Sequence, residues 1–392
     1  MALIPEIAAR DAEIRQWRHH LHAHPETAFE EVETSAFVAA KLRAFGIDVH
    51  QGIAGTGVVG VIEGRADGPW LGLRADLDAL DLQEGNAFEH RSRHAGKMHA
   101  CGHDGHTAML LAAARHLAET RDFAGTVAVI FQPAEENEGG GRAMVEDGLF
   151  ERFPIASVYG MHNWPGLTAG RFAVRSGPVM AAYDIFEIHL DGQGAHAAMP
   201  HLGRDAIVAA AHLVTALQTI IARNVDPLEA AVVSVTQIHS GDTWNVLPQQ
   251  AVLRGTVRTF LPDIQDRVER RIGEIVQGVA TSFGIEARLR YERRYPSTVN
   301  APEPARIAGV AAGRVVGPDN VDLEPRPSMG SEDFAFLLQA RPGAYIWLGA
   351  GPGQAGCLLH NPAYDFNDDV LTLGASYWVH LAQTVLPLGS SS

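Results

Sequence analysis

The chain has 392 residues, 46% of them hydrophobic and 20% charged, which is apolar content for a large core and length for two domains. A formal net charge of -15 argues against the Lys- and Arg-rich surfaces that nucleic-acid backbones and anionic membranes attract, and the two cysteines, Cys101 and Cys357, exclude a disulfide framework. Residues Met1 to Glu6 lack a basic stretch leading into an apolar run, and no segment approaches the roughly 18 uninterrupted apolar residues of a membrane span. The default expectation is a cytoplasmic protein with neither a membrane nor a nucleic-acid partner.

In the first third, helical and strand patterns alternate. Apolar residues recur at helical spacing over 33–45 and stop at Gly46, a residue suited to the left-handed turn after a helix. The runs Val58–Ile62 and Trp70–Leu73 are short, apolar and bounded by Gly, Pro or charge, as buried strands are. A helix over about 105–119 and a strand over 127–131 continue the alternation. The expected fold is α/β: a mostly parallel central sheet flanked by helices.

From about residue 180 the pattern changes. A strand over 183–190 precedes a helix whose face is marked by Ile207, Ala210, Ala211, Val214, Leu217 and Ile221. Strands over 230–239 and 250–260 follow. A second helix carries Val268, Ile272, Ile275, Val276, Val279 and Phe283, closes at Gly284 and leads into a strand ending near 292. The order β-α-β-β-α-β is that of a ferredoxin-like unit. The domain reading is therefore a catalytic α/β domain over 1–180 and 294–392, interrupted by an inserted domain over 181–293. The Gly-Ser-Ser-Ser tail is expected to be disordered.

Two segments concentrate chemistry. Met98-His99-Ala100-Cys101-Gly102-His103-Asp104-Gly105-His106 offers a thiol and several imidazoles directly before a helix, whose positive end favours the thiolate form of Cys101. That is a metal-ligand composition, although a polar loop with incidental histidines fits the same residues. In Phe131-Gln132-Pro133-Ala134-Glu135-Glu136, Pro133 stops a strand and leaves two adjacent carboxylates at the sheet's carboxyl edge, where open α/β sheets place their sites. One of the two glutamates can bind metal while the other stays free as a base, but a solvated surface pair is the commoner meaning of such a doublet. His162 and His360 follow strand-like runs, and spacing alone promotes neither.

These segments, with Arg74-Ala75-Asp76, Met161-His162-Asn163, Gly194-Ala195-His196-Ala197-Ala198-Met199-Pro200, Met329-Gly330-Ser331-Glu332-Asp333-Phe334 and His360-Asn361-Pro362, stand in the order found in the M20 metallopeptidase family. The chain resembles its amidohydrolase branch, which includes hippurate hydrolases, N-acyl-amino-acid amidohydrolases and auxin-conjugate hydrolases. The likeness covers nearly the whole length, with Arg18, His22, Pro25 and Glu26 near the start.

Carried over by position, the resemblance implies Cys101, His103, Glu136, His162 and His360 as ligands of two divalent ions, with Cys101 bridging them. Glu135 becomes the general base and Asp76 a carboxylate that orients a ligand histidine, while Asp104 and His106 are left to supporting or packing roles. In the inserted domain, His196 corresponds to an oxyanion-stabilising histidine delivered to the partner subunit, so a homodimer is implied. Asn245 and Arg258 correspond to residues that hold a substrate carboxylate. Zn suits a thiolate, imidazole and carboxylate set, and Mn, Co or Ni also occupy mixed sites.

The expected reaction is hydrolysis of N-acyl amino acids to a carboxylic acid and a free amino acid. The alternatives are a dipeptidase or carboxypeptidase of the same family, or a catalytically inactive metal-dependent binding protein. Leu77, Asp81, Asn137 and Glu138 depart from the branch's usual residues, which puts the substrate in question more than the reaction.

Overall fold

A computed structural model describes residues 2–136, 138–352 and 358–389, so Asn137, Cys357 and the Ser390–Ser392 tail lie outside the described residues. The chain divides into two compact units, Met1–Val179 with Thr298–Arg326 and Asp333–Ser392, and Met180–Ser297 with Pro327–Glu332. The segment Pro327–Glu332, expected with the first unit, packs with the second. The second unit also runs to Ser297 and not to 293.

The first unit is built on an eight-stranded sheet in the order Asp48–Ile53, Gly57–Glu63, Ala124–Gln132, Ala66–Asp76, Ile155–Pro165, Gly343–Gly351, Phe172–Ala173 and Val321–Asp322. The four central strands, from Ala124–Gln132 to Gly343–Gly351, run parallel, while Asp48–Ile53 and Gly57–Glu63 add antiparallel pairs at one side. The central strands are nearly continuous apolar runs: every residue of Gly343–Gly351 is buried, and all of Ala124–Gln132 except the first. A strand covered on both faces favours that composition, because a polar side chain along it loses water and must find a buried partner to make up for it. The helix His103–Thr120 packs against Leu371–Val385 and Asp11–Ala23, and Leu110, Leu111, Leu371, Trp378 and Phe366 join the strands in one apolar core.

Strand direction matters for function. Because the central strands are parallel, Asp76, Gln132 and the His162 end of Ile155–Pro165 emerge at one edge of the sheet.

The second unit has the expected β-α-β-β-α-β order, with the antiparallel sheet arranged Ala231–His239, Gln250–Thr259, Ala182–Asp191, Glu286–Tyr295. Along Ala182–Asp191 burial alternates residue by residue, and Phe186, Ile188 and Leu190 meet the stripes of the two helices at Leu213, Leu217, Val268, Ile272 and Val276. Asp205 caps the first helix by accepting from the backbone N–H of Ile207 (2.8 Å) and Val208 (3.1 Å), and Gly284 ends the second in the left-handed region with φ 64°. One described helix, Ala206–Asn224, is long and apolar enough by length and composition to cross a membrane, with a mean hydropathy of 1.5, although His212, Thr215, Gln218 and Thr219 interrupt its apolar run. In the structure its buried stripe covers the sheet of its own unit, and Ile207 and Val208 on the same helix are exposed.

Candidate metal centre

At the carboxyl edge of the first sheet the separate sequence segments converge. Ligand atoms of Cys101, His103 and His162 lie within 4.8 Å of one another, as do those of Cys101, Glu136 and His360, and those of His103, Glu135 and Glu136. Cys101 belongs to both of the first two groups, which is the position of a ligand shared between two ions.

The residues fit such ions. A sulfur bond of about 2.3 Å and a nitrogen bond of about 2.0 Å at a tetrahedral angle leave the two ligand atoms about 3.5 Å apart, and a nitrogen–oxygen pair about 3.3 Å apart. The Cys101 Sγ to His162 Nε2 distance is 3.4 Å, and His360 Nε2 to Glu136 Oε1 is 3.2 Å. The imidazoles are also held in the right tautomer. Nδ1 of His103 donates to the Asp78 carbonyl at 2.9 Å and Nδ1 of His162 to the Asn163 carbonyl at 2.6 Å, which turns each Nε2 toward the centre. Nε2 of His103 is buried with no hydrogen-bond partner, a condition that a cation relieves. His106, by contrast, has both ring nitrogens engaged, with Asp76 Oδ1 and Asn163 Oδ1, each at 2.6 Å. It belongs to the support.

Charge around the centre tells the same way. Burial opposes a charged His103, yet Asp76, Asp78 and Glu136 outweigh it and push its pKa up to about 10, so the surrounding carboxylates favour positive charge at this point and a cation must displace the Nε2 proton to be bound there. Burial, followed by the nearby His106, holds His162 well below the ordinary histidine range, in the neutral form a metal needs. Cys101 corrects one expectation. Its thiol is pushed well up by burial and by Glu136, Glu135 and Asp76, so the positive end of the helix beginning at His103 does not by itself produce a thiolate. A cation must displace that proton.

Local backbone explains the convergence. Gly102 is left-handed at φ 97°, and a Cβ there would sit 2.6 Å from Asn163 Oδ1, so only glycine lets the loop between Cys101 and His103 approach the next strand. His360 is also left-handed, at φ 60°, and its N–H donates to the Ala100 carbonyl at 2.8 Å, tying the last candidate ligand to the segment that carries Cys101.

Behind the ligands runs a buried polar network that sequence reasoning largely missed. Arg74 bonds Asp76 (2.8 Å), Gln132 (2.9 Å) and Asp333 (2.9 Å), and Asn163 reaches the Tyr364 hydroxyl at 2.6 Å. Asp76 lies 3.7 Å from His103 Nε2, while the bond that orients the His103 ring comes from Asp78, whose side chain also accepts the Glu136 N–H at 2.9 Å. A second buried group joins Arg18, Asp104, Asp365 and Asp368 to His22, whose ring bridges Asp104 (2.8 Å) and Glu84 (3.2 Å). Leu77 is simply core, and Asp81 and Glu138 are exposed.

The second unit holds the remaining candidates. The short ladder of Ala195–His196 with Val246–Leu247 pairs His196 with Val246, and the Ala197 N–H donates to the Asn245 carbonyl at 3.0 Å, so His196 and Asn245 are neighbours. His196 is exposed. Arg258 stands opposite Tyr183 across the sheet, 4.1 Å over its ring, donates to Ser331 Oγ at 2.8 Å and has no salt bridge among the described residues. It lines a cavity of about 550 Å³ with Arg254, Arg290, Arg294, Glu187 and Glu292.

Comparison with known proteins agrees with this geometry. The chain is 40% identical over 382 residues to the hippurate hydrolase of Campylobacter jejuni, covering 97% of this chain and 99% of the relative. It is 38% identical to the N-acetyl-L-cysteine deacetylase of Bacillus subtilis, covering 93% of this chain and 85% of that one. Among solved structures, the Bacillus subtilis YXEP protein, a dinuclear metal-binding peptidase of the M20 family, superposes with a TM-score of 0.84 at 35% identity over 97% of this chain and 99% of its own. Residues 72–384 match the model of peptidase family M20/M25/M40, and the chain belongs to that family of metal-dependent hydrolases.

Proposed function

We propose that this hydrolase cleaves the amide bond of N-acyl amino acids, releasing a carboxylic acid and a free amino acid. The observation that carries the reading is the pair of ligand groups sharing Cys101, with Glu135 buried beside them. The names of the relatives, which act on hippurate and N-acetylcysteine, support the substrate class.

Cys101, His103 and His162 would hold one divalent ion, and Cys101, Glu136 and His360 the other. When bound, the ions supply the Lewis acidity that a poorly electrophilic amide and a weakly nucleophilic water require. Glu135 takes the proton of the attacking water and returns it to the leaving amine. His196 donates to the oxygen on which negative charge develops. Arg258, with no carboxylate partner of its own among the described residues, and Asn245 hold the substrate's carboxylate.

We further propose a homodimer in which His196 serves the partner's centre, a symmetric arrangement in which both sites are completed alike. Trp244, Val246, Ile207 and Val208 give the second unit exposed apolar surface for such a contact.

A screen of N-acetyl, N-benzoyl and longer N-acyl amino acids against dipeptides, each with Zn, Mn, Co or Ni, tests the reaction. Preference for dipeptides would move the assignment to a peptidase, and no turnover with any metal would remove it. For the dimer, mixing Glu135→Gln with His196→Ala should restore activity, because about half the dimers become mixed and each of these regains one intact site. Absence of recovery despite proven subunit exchange would confine His196 to its own chain.

A further inference from the structure

Two adjacent glutamates with different tasks pose a geometric problem: their side chains must leave the same short turn in different directions and stay there. The residue just before them is where the backbone departs from the ordinary. Ala134 has a φ of 53°, in the left-handed region where a Cβ meets steric resistance, and it is fully buried. Such a conformation persists only when the surroundings hold it.

They hold it from several sides. The Ala134 N–H donates to Glu31 Oε1 at 2.9 Å, and its carbonyl accepts from the Gly140 N–H at 2.9 Å. Gly140 is itself irreplaceable, since a Cβ there would lie 1.8 Å from the Pro133 carbonyl oxygen. Two residues on, Asp78 fixes the Glu136 N–H at 2.9 Å. Glu31 is the unusual member of this set. It comes from a distant part of the chain, is fully buried and has no salt bridge among the described residues, and its other oxygen accepts the Thr56 hydroxyl at 2.7 Å. Burial, with Asp78 adding to it, pushes the carboxyl up to about 7. A buried carboxylate without a cation is a poor way to gain stability, so its bond to one strained peptide needs another reason.

We propose that Glu31 is a positioning residue that keeps Ala134 left-handed, so that Glu135 is aimed as the base and Glu136 as the metal ligand. The proposal rests on the roles given to those two glutamates above. Without the Glu31 acceptor, residue 134 can relax to negative φ, which rotates the following peptide and swings both carboxylates.

The test uses the full-length protein loaded with metal. Glu31→Met keeps side-chain volume and removes the acceptor. It should lower kcat by roughly ten- to a hundredfold with KM little changed, and weaken the affinity for one of two cations, read by competition with a chromogenic chelator. Glu31→Gln, which retains an acceptor oxygen, should stay near the parent. The discriminating variant is Ala134→Gly: glycine adopts positive φ without steric cost, so in the Glu31→Met background it should recover most of the lost cation affinity and turnover. Glu31→Met with unchanged affinity and kcat, or a double variant as impaired as Glu31→Met, overturns the proposal. If Glu31→Met does not fold, the double variant decides: folding with turnover supports the role, and failure to fold refutes it. Failure of the underlying roles is separable, because it would appear as normal turnover in Glu135→Gln and normal metal content in Glu136→Gln whatever happens at Glu31.

Discussion

The two units of this chain are stabilised in different ways. In the inserted unit the buried residues are mainly apolar, Phe186, Leu213, Leu217, Val268 and Ile272 among them, supplied by alternating strands and two striped helices, with Asp184, bonded to Gln265 and Tyr291, and Glu332 as buried carboxyl groups. The first unit buries, besides its apolar core, Arg18, His22, Arg74, Asp76, Asp104 and Asp333, which bond across the chain to one another. An apolar unit needs only period and volume. A unit that buries charge needs each partner at hydrogen-bond distance, and it keeps that costly arrangement where ligands must be aimed.

The contrast is sharpest at the base. Glu135→Gln should lower kcat by roughly 10² to 10⁴ while both cations remain, measured by turnover alongside metal analysis. Loss of metal with turnover recovered on resupply would exchange the tasks of Glu135 and Glu136. In the inserted unit, Leu213→Ala should cost about 2–5 kcal/mol in denaturant unfolding, with cation stoichiometry unchanged in the folded protein. A loss of metal from the folded variant would break the division drawn between the units.

Asp78→Ala removes the acceptor for the Glu136 N–H and should weaken cation affinity by roughly 10- to 100-fold, a titration that Leu213→Ala leaves unaltered. Arg258→Ala should raise KM about tenfold or more for N-acyl amino acids and little for the corresponding amides, which lack the carboxylate. Equal effects on both substrates would make Arg258 structural.

The smallest expected effect is one of pH. Burial opposes charge on His22, but Asp104 and Glu84 overcome it and raise its pKa to about 9. A raised histidine stabilises the fold fully below its unfolded value near 6.5, and that contribution is lost as pH rises through about 9. The stability difference between the parent and His22→Gln should therefore shrink between pH 6.5 and 9.5 in urea unfolding. A constant difference would mean that His22 acts by packing alone.

Much of this was legible in the chain itself, wherever the information is local. Helical period marked the two helices of the inserted unit, and Gly46 and Gly284 marked helix ends because few other residues accept positive φ. The segments holding Cys101, His103, Glu135 and Glu136 showed themselves by composition, and the family resemblance added His162 and His360, whose local surroundings carry no such signal. Partners far apart in sequence were not legible. That Asp78 orients His103, that Asn163 meets Tyr364 and that Glu31 reaches Ala134 follow from strand order and loop closure, to which no period or spacing refers. The tertiary structure also decided the protonation of Cys101, since burial and converging carboxylates overrode the helix end beside it. Residue type and periodicity thus determined the elements and the kind of chemistry, whereas distance and desolvation, which exist only once the chain is folded, decided which atoms face one another and in what charge state.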